Sequence, residues 1–214
     1  MMSQPLAPAA AAPTFTRLDS FRAFRRLVRA GTLNGDAAVY KADVFTPTKP
    51  RSAEAMRVLD PLIPSLDMDA LRAMPADTFG GAYARFLDDN ALEPFVVSED
   101  FPAAVLERSS HWARYALVHD MYHVLLGYGP DVPGEAGVFG FVLGQRLAWI
   151  FWLYAPLALV ALPLMAPRRV GETFRALARG FRLGRALDDL LAMPLERHFE
   201  RPLDEVRAEL GLAG

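Results

Sequence analysis

Between Leu147 and Ala166 the chain runs for 20 residues without a charged side chain, LAWIFWLYAPLALVALPLMA. A stretch of that length meets the usual requirement for a transmembrane helix. Trp149, Trp152 and Tyr154 supply an aromatic belt, and Arg168 and Arg169 a basic flank. Pro156 and Pro163 oppose a regular helix, because an internal proline removes a backbone hydrogen bond and costs about 3 kcal/mol. Three arrangements satisfy the pattern. The run is a true span, or two shorter helices broken near Pro156 and buried on all sides, or a segment that lines a greasy tunnel or lies along a bilayer face.

The remainder reads as one globular helical domain. At 214 residues and 52% apolar composition the chain can bury a sizeable core. With 23 basic and 25 acidic side chains, no electrostatic footprint points to nucleic acid. There is no cysteine, which excludes disulfides, a thiol nucleophile and cysteine-held zinc or iron–sulfur centres. Residues 1–14, rich in Ala and Pro, are expected to be a disordered tail, lacking the apolar core of a signal peptide. Residues 15–214 then form the domain, in a cytosolic setting.

Helical spacing of apolar residues marks Phe15–Ala30, Asp36–Phe45, Met68–Met74, Phe79–Asn90, Phe101–Leu126 and Glu172–Ala192. Asp67 opens the third of these, and Ser52 and Asp204 can open two further helices. Gly31, Asn34 and Gly35 make a turn, the Pro47/Pro50 pair stops a helix, and Gly127–Gly134 (GYGPDVPG) is a loop, with helix resuming from Glu135. No stretch alternates with period two. The expected fold class is all-α, a single-domain helical bundle with a buried apolar, lipid-lining region.

Chemistry concentrates in Val118-His119-Asp120-Met121-Tyr122-His123. On a helix His119 and His123 stand one turn apart on one face, the local geometry of helix-borne metal sites. Asp120 can reach the same side, as a ligand or as an acceptor that orients an imidazole N–H. The compact turn that follows can return Glu135 to the two histidines. Two imidazoles with one or two carboxylates suit zinc, iron(II) or manganese, with magnesium a further option, better than calcium or copper(I). His111, eight residues before His119, is either another ligand or a surface or capping residue. His198 is read as structural, Glu93, Glu99 and Asp100 as solvated or capping, and Tyr122 and Tyr128 as packing residues with polar tips. Gly80-Gly81 is no phosphate loop, and Ser109-Ser110 lacks a hydrolase elbow. A metal-dependent phosphohydrolase also uses a His-Asp pair, but a second distant pair is missing.

The motif His119-Asp120-xx-His123, eleven residues, then Glu135 resembles that of the ubiquinone (coenzyme Q) biosynthesis family numbered fourth among the Coq proteins. HVLLGYGPDVPGE, FGGAYARFLDDNALEP and GRALDDLLAMPLERHFERPLDEVRAELGL resemble further blocks of that family, over roughly residues 20 to 212. The resemblance implies an all-helical bacterial homologue with a divalent metal, zinc above all, on His119, Asp120, His123 and Glu135. It implies a peripheral site on the cytoplasmic side of the inner membrane and a polyprenylated aromatic lipid as ligand. The reaction implied is loss of the ring carboxylate at position 1 of a prenylated 4-hydroxybenzoate, with hydroxylation there in the oxidative version. Glu135 and His119 are the expected catalytic residues. The rival role is a non-catalytic prenyl-lipid scaffold that organises other quinone-biosynthesis proteins at the membrane. A homodimer is an open option.

Overall fold

The computed structural model describes residues 15–32, 34–46 and 54–212. The expected tail (1–14), the Pro47/Pro50 stop and the Ser52 cap lie outside them. Ten α-helices lie wholly within these residues: α1 (Arg17–Arg29), α2 (Gly35–Phe45), α3 (Met68–Ala73), α4 (Phe79–Asp89), α5 (Ala103–Arg108), α6 (Ser110–Leu126), α7 (Val132–Gly144), α8 (Trp149–Met165), α9 (Val170–Ala186) and α10 (Leu203–Glu209). Short 3₁₀ turns cover Pro167–Arg169, Leu190–Ala192 and Leu195–His198. Among the described residues no strand occurs beyond an isolated bridge between Thr78 and Pro202. The fold is all-α, as the spacing predicts.

Side-chain caps explain most helix starts. Thr16 and Asp19 form a reciprocal capping box on α1, and Asn34, Asp67 and Thr78 accept from backbone N–H groups of α2, α3 and α4. The main core joins α4, α6 and α7 to the C-terminal turns through Phe79, Tyr83, Leu117, Met121, Phe141 and Leu191. Each fully buried side chain of this kind contributes about 1.5–3 kcal/mol. A smaller cluster, Val39, Phe101, Val105 and Ala113, seats α2 and α5 against the start of α6.

The expected continuous helix over Phe101–Leu126 is broken at Ser109. The break lets Arg108 and Ser109 converge on Asp43 of α2, which is fully buried. Arg108 donates to its carboxylate at 3.0 and 2.8 Å, Ser20 Oγ at 2.5 Å and Ser109 Oγ at 3.4 Å. Burial pushes the Asp43 carboxyl up, but the Arg108 and Ser20 donors outweigh it and hold it below the ordinary value. A depressed folded-state value stabilises the fold above the unfolded carboxyl pKa, about 3.9, and that stability is lost as pH falls through the folded value. Asp43→Asn is therefore expected to cost about 2–4 kcal/mol at pH 7 and progressively less below pH 4. Urea midpoints across that pH range would check it.

Helices α7 and α9 meet at backbone contact. A Cβ built on Gly180 would lie 1.9 Å from the Gly137 carbonyl oxygen, and one on Gly184 would lie 2.2 Å from that of Phe141. From the other side, a Cβ on Gly140 would meet the Leu177 oxygen at 2.2 Å. Gly-xxx-Gly spacing on both helices produces this approach.

The apolar run departs from the buried two-helix arrangement. It is one helix, α8, with both prolines inside it and not one buried residue. Trp149, Leu153, Leu157, Val160, Leu164 and Met165 are all exposed, Leu164 at 75%. Pro156 and Pro163 free the carbonyls four residues earlier, and an exposed helix can leave these to its surroundings. Among the described residues no single helix is long and apolar enough to cross a membrane; α8 and the segment after it are bent by 102°.

Candidate metal centre

Helix α6 ends in a left-handed Gly127 (φ 71°), whose N–H, with that of Tyr128, caps the last turn. Arg207 and Arg179 donate to the carbonyls of Val124, Leu125 and Leu126, countering the negative end of the helix. The chain then reverses. Asp131 caps α7 by accepting from Gly134 N–H at 2.9 Å, and Arg169 holds its other oxygen at 2.7 Å. A Cβ on Gly134 would sit 1.8 Å from the Gly129 oxygen, so only glycine lets the loop fold onto the first turn of α7. Helix begins at Val132, three residues before the sequence places it, and Glu135 occupies that first turn.

The loop also sets a histidine tautomer. His123 Nδ1 faces the carbonyl oxygens of Gly129 (3.1 Å) and Tyr128 (3.3 Å). Carbonyls only accept, so Nδ1 carries a proton, and the neutral ring therefore presents its lone pair at Nε2. His119 Nδ1 lies 3.2 Å from Asp120 Oδ1, which fixes the same tautomer. One ring nitrogen of each histidine and a Glu135 oxygen lie within 4.8 Å of one another. Glu135 approaches His123 Nε2 at 3.4 Å and His119 Nε2 at 3.8 Å.

This arrangement fits a cation. His123 Nε2 is buried without a hydrogen bond. A lone pair facing a carboxylate repels it, and a divalent ion between them removes the repulsion. Ligand bonds of about 2.0–2.2 Å match donors at such separations. Protonated imidazoles relieve the same repulsion when no ion is bound: burial pushes the Glu135 carboxyl up, but a donating His123 and the His119 and His123 charges then hold it below the usual range. His119, His123 and the half-exposed Glu135 would supply three protein donors to such an ion.

Of the expected quartet, His119, His123 and Glu135 converge, whereas the contact made by Asp120 is with the His119 ring. His111 is buried and outside the cluster, so the surface reading fails for it. His198 accepts from Arg201 at 3.0 Å, Tyr122 packs on Phe141, and the Tyr128 hydroxyl donates to Ala176 O at 3.1 Å. Glu99 and Asp100 are exposed.

Beside the centre opens a groove of about 480 Å³ between α2 and α6. Val39, Phe95, Trp112 and Tyr115 line it, Glu93 stands in its wall, and His119 and Asp120 close one side. Tyr115, one turn before His119, packs its ring edge-on against that imidazole. Burial, with the Glu135 and Asp120 charges, keeps its phenol well above the usual tyrosine range and thus protonated. The role of Tyr115 escaped the sequence reading, although i, i+4 spacing to His119 carries the signal. Phe151 of α8 packs on Trp112 and Tyr115, so the apolar helix starts at one wall of the groove.

Residues 61–214 match the family model described as "Coenzyme Q (ubiquinone) biosynthesis protein Coq4". The Bos taurus mitochondrial ubiquinone biosynthesis protein COQ4 homolog is 33% identical over 158 residues, covering 69% of this chain and 55% of that protein. The Nematostella vectensis homolog is 29% identical over 171 residues, covering 76% and 79%. The chain spans about half the length of most of the curated relatives it matches. The crystal structure of a candidate ubiquinone biosynthesis protein from Nostoc punctiforme PCC 73102 shares the fold, with TM-score 0.58 and 22% identity over 92% of this chain and 89% of that one. The family match begins at Pro61, which leaves α1 and α2 before it. This chain therefore belongs to the coenzyme Q (ubiquinone) biosynthesis protein Coq4 family.

Proposed function

We propose that the protein acts in ubiquinone biosynthesis by removing the ring carboxylate at position 1 of a polyprenylated 4-hydroxybenzoate precursor. The observation that carries this reading is the convergence of His119 Nε2, His123 Nε2 and the Glu135 carboxylate beside an apolar groove. A divalent cation, zinc in the first instance and iron(II), manganese or magnesium otherwise, supplies Lewis acidity when bound there. His119, His123 and Glu135 would hold it, and Asp120 keeps the His119 ring in register.

The groove takes the aromatic head group, with Trp112 and Phe95 against its faces. The prenyl tail runs toward α8, and each CH₂ it removes from water contributes about 0.8 kcal/mol. Tyr115 donates to an oxygen of the ring. When the bond between ring carbon and carboxylate breaks, carbon dioxide leaves and the ring carbon keeps the electron pair. Glu135, half-exposed, relays a solvent proton to that carbon. In the oxidative version a hydroxyl enters instead, which requires an external oxidant. The uncharged surface of α8 supports a peripheral position at the membrane.

His123→Ala and Glu135→Gln are each expected to lower bound metal at least tenfold by elemental analysis, and to abolish decarboxylation of a prenylated 4-hydroxybenzoate. Full turnover by a metal-free variant would exclude the mechanism. A scaffold that gathers quinone-biosynthesis proteins is the second reading, favoured by the exposed apolar face of α8. It predicts pathway complexes that survive loss of the metal.

A further inference from the structure

We infer that α1 is a docking surface for anionic phospholipid headgroups, separate from the metal centre and from α8. Ser20 is buried and Phe24 and Leu27 are partly buried, while Leu18, Phe21, Arg22, Arg25 and Arg29 form one stripe at helical spacing toward solvent. Leu18 is 56% exposed and Phe21 36%.

The charge is lopsided in a chain of net charge −2: α1 holds five arginines and one acid, Asp19. Arg22 pairs with Asp19 at 3.3 Å on the surface, where such a pair contributes little. Among the described residues no other arginine of α1 lies within ion-pair distance of a carboxylate. Arg25 instead stands over the Phe21 ring at 5.6 Å. Arginines beside exposed leucine and phenylalanine suit an interface with phosphate on its outer plane and hydrocarbon beneath. A protein partner would need an acidic surface with an apolar cleft at matching spacing, whereas an anionic bilayer presents both layers everywhere.

The position of α1 strengthens the assignment. It packs on α2, one wall of the groove, whereas α8 starts at Trp112 and Tyr115 on the other. A basic helix and an uncharged helix thus pack on the elements that form the two walls of the groove. The proposal shares with the preceding reading only the presence of a bilayer.

Flotation of the full chain with phosphatidylcholine vesicles, with and without phosphatidylglycerol, separates the two contacts. Wild type is expected to bind the anionic vesicles more tightly, and added salt to erase the difference. The triple variant R22Q/R25Q/R29Q is expected to lose about a hundredfold on anionic vesicles and to keep its binding to neutral ones. Glutamine keeps the helix propensity, and an unchanged thermal midpoint establishes folding. The lysine triple variant should retain most of the anionic preference. Equal binding of wild type to both vesicles, or a glutamine variant that keeps the preference, would overturn the role of α1 alone. Failure of every form on every vesicle would overturn the bilayer reading with it.

Discussion

Gly180→Ala is expected to destabilise the protein by about 3 kcal/mol, although alanine favours a helix over glycine by about 1 kcal/mol. The sign is the test. At an exposed helical site the substitution stabilises, but here the added carbon would lie 1.9 Å from the Gly137 oxygen. That oxygen is backbone, so α7 and α9 must separate as whole elements. With total stabilities of about 5–15 kcal/mol, such a loss is large. Gly171, on the same helix, faces open space apart from the Arg175 side chain, and Gly171→Ala should be neutral or mildly stabilising. Glu135 lies two residues before Gly137, so a shifted α7 also lowers metal affinity. Guanidinium melts and metal titrations of both variants would measure this. A stabilised Gly180→Ala would refute the contact.

Arg114→Ala should cost about 3–5 kcal/mol. Arg114 is completely buried, and it donates to the carbonyls of Leu191 (3.3 Å) and Met193 (2.5 Å) and to Glu196 (2.7 Å). It ties the C-terminal turns to α6 one turn and a half before His119. Truncation leaves the Leu191 carbonyl and the Glu196 carboxylate without this donor, and the Met193 carbonyl with the Leu195 N–H alone, in a place water reaches poorly. Arg114→Met with Glu196→Gln restores volume and removes the stranded charge, so it should recover part of the loss. A double-mutant cycle by chemical denaturation gives the coupling. Additive losses would show that the ion pair is not the source.

The helical class and the pairing of His119 with His123 were legible because both follow from one period, 3.6 residues. Glu135 was legible through the glycines and prolines that force the chain back. The oxygens that orient His123 were not, since they belong to the backbone of Tyr128 and Gly129 and no side-chain pattern encodes them. The break at Ser109 was hidden for another reason: its cause, Asp43, lies 66 residues earlier. Glycine spacing on α7 and α9 was in plain view, but it takes meaning only once the two helices are known to be partners. Composition likewise could not decide between burial and exposure for Leu147–Ala166, because lipid and protein interior select the same side chains.

Helix α8 contributes no buried residue to the fold, so few neighbours constrain the shape of what it carries. Its sequence is free to drift among hydrocarbon side chains, large for small or branched for unbranched, without opening a void elsewhere. What it cannot accept freely is a charge. Selection on this helix then acts on partitioning between solvents, and on the rest of the molecule it acts on fit.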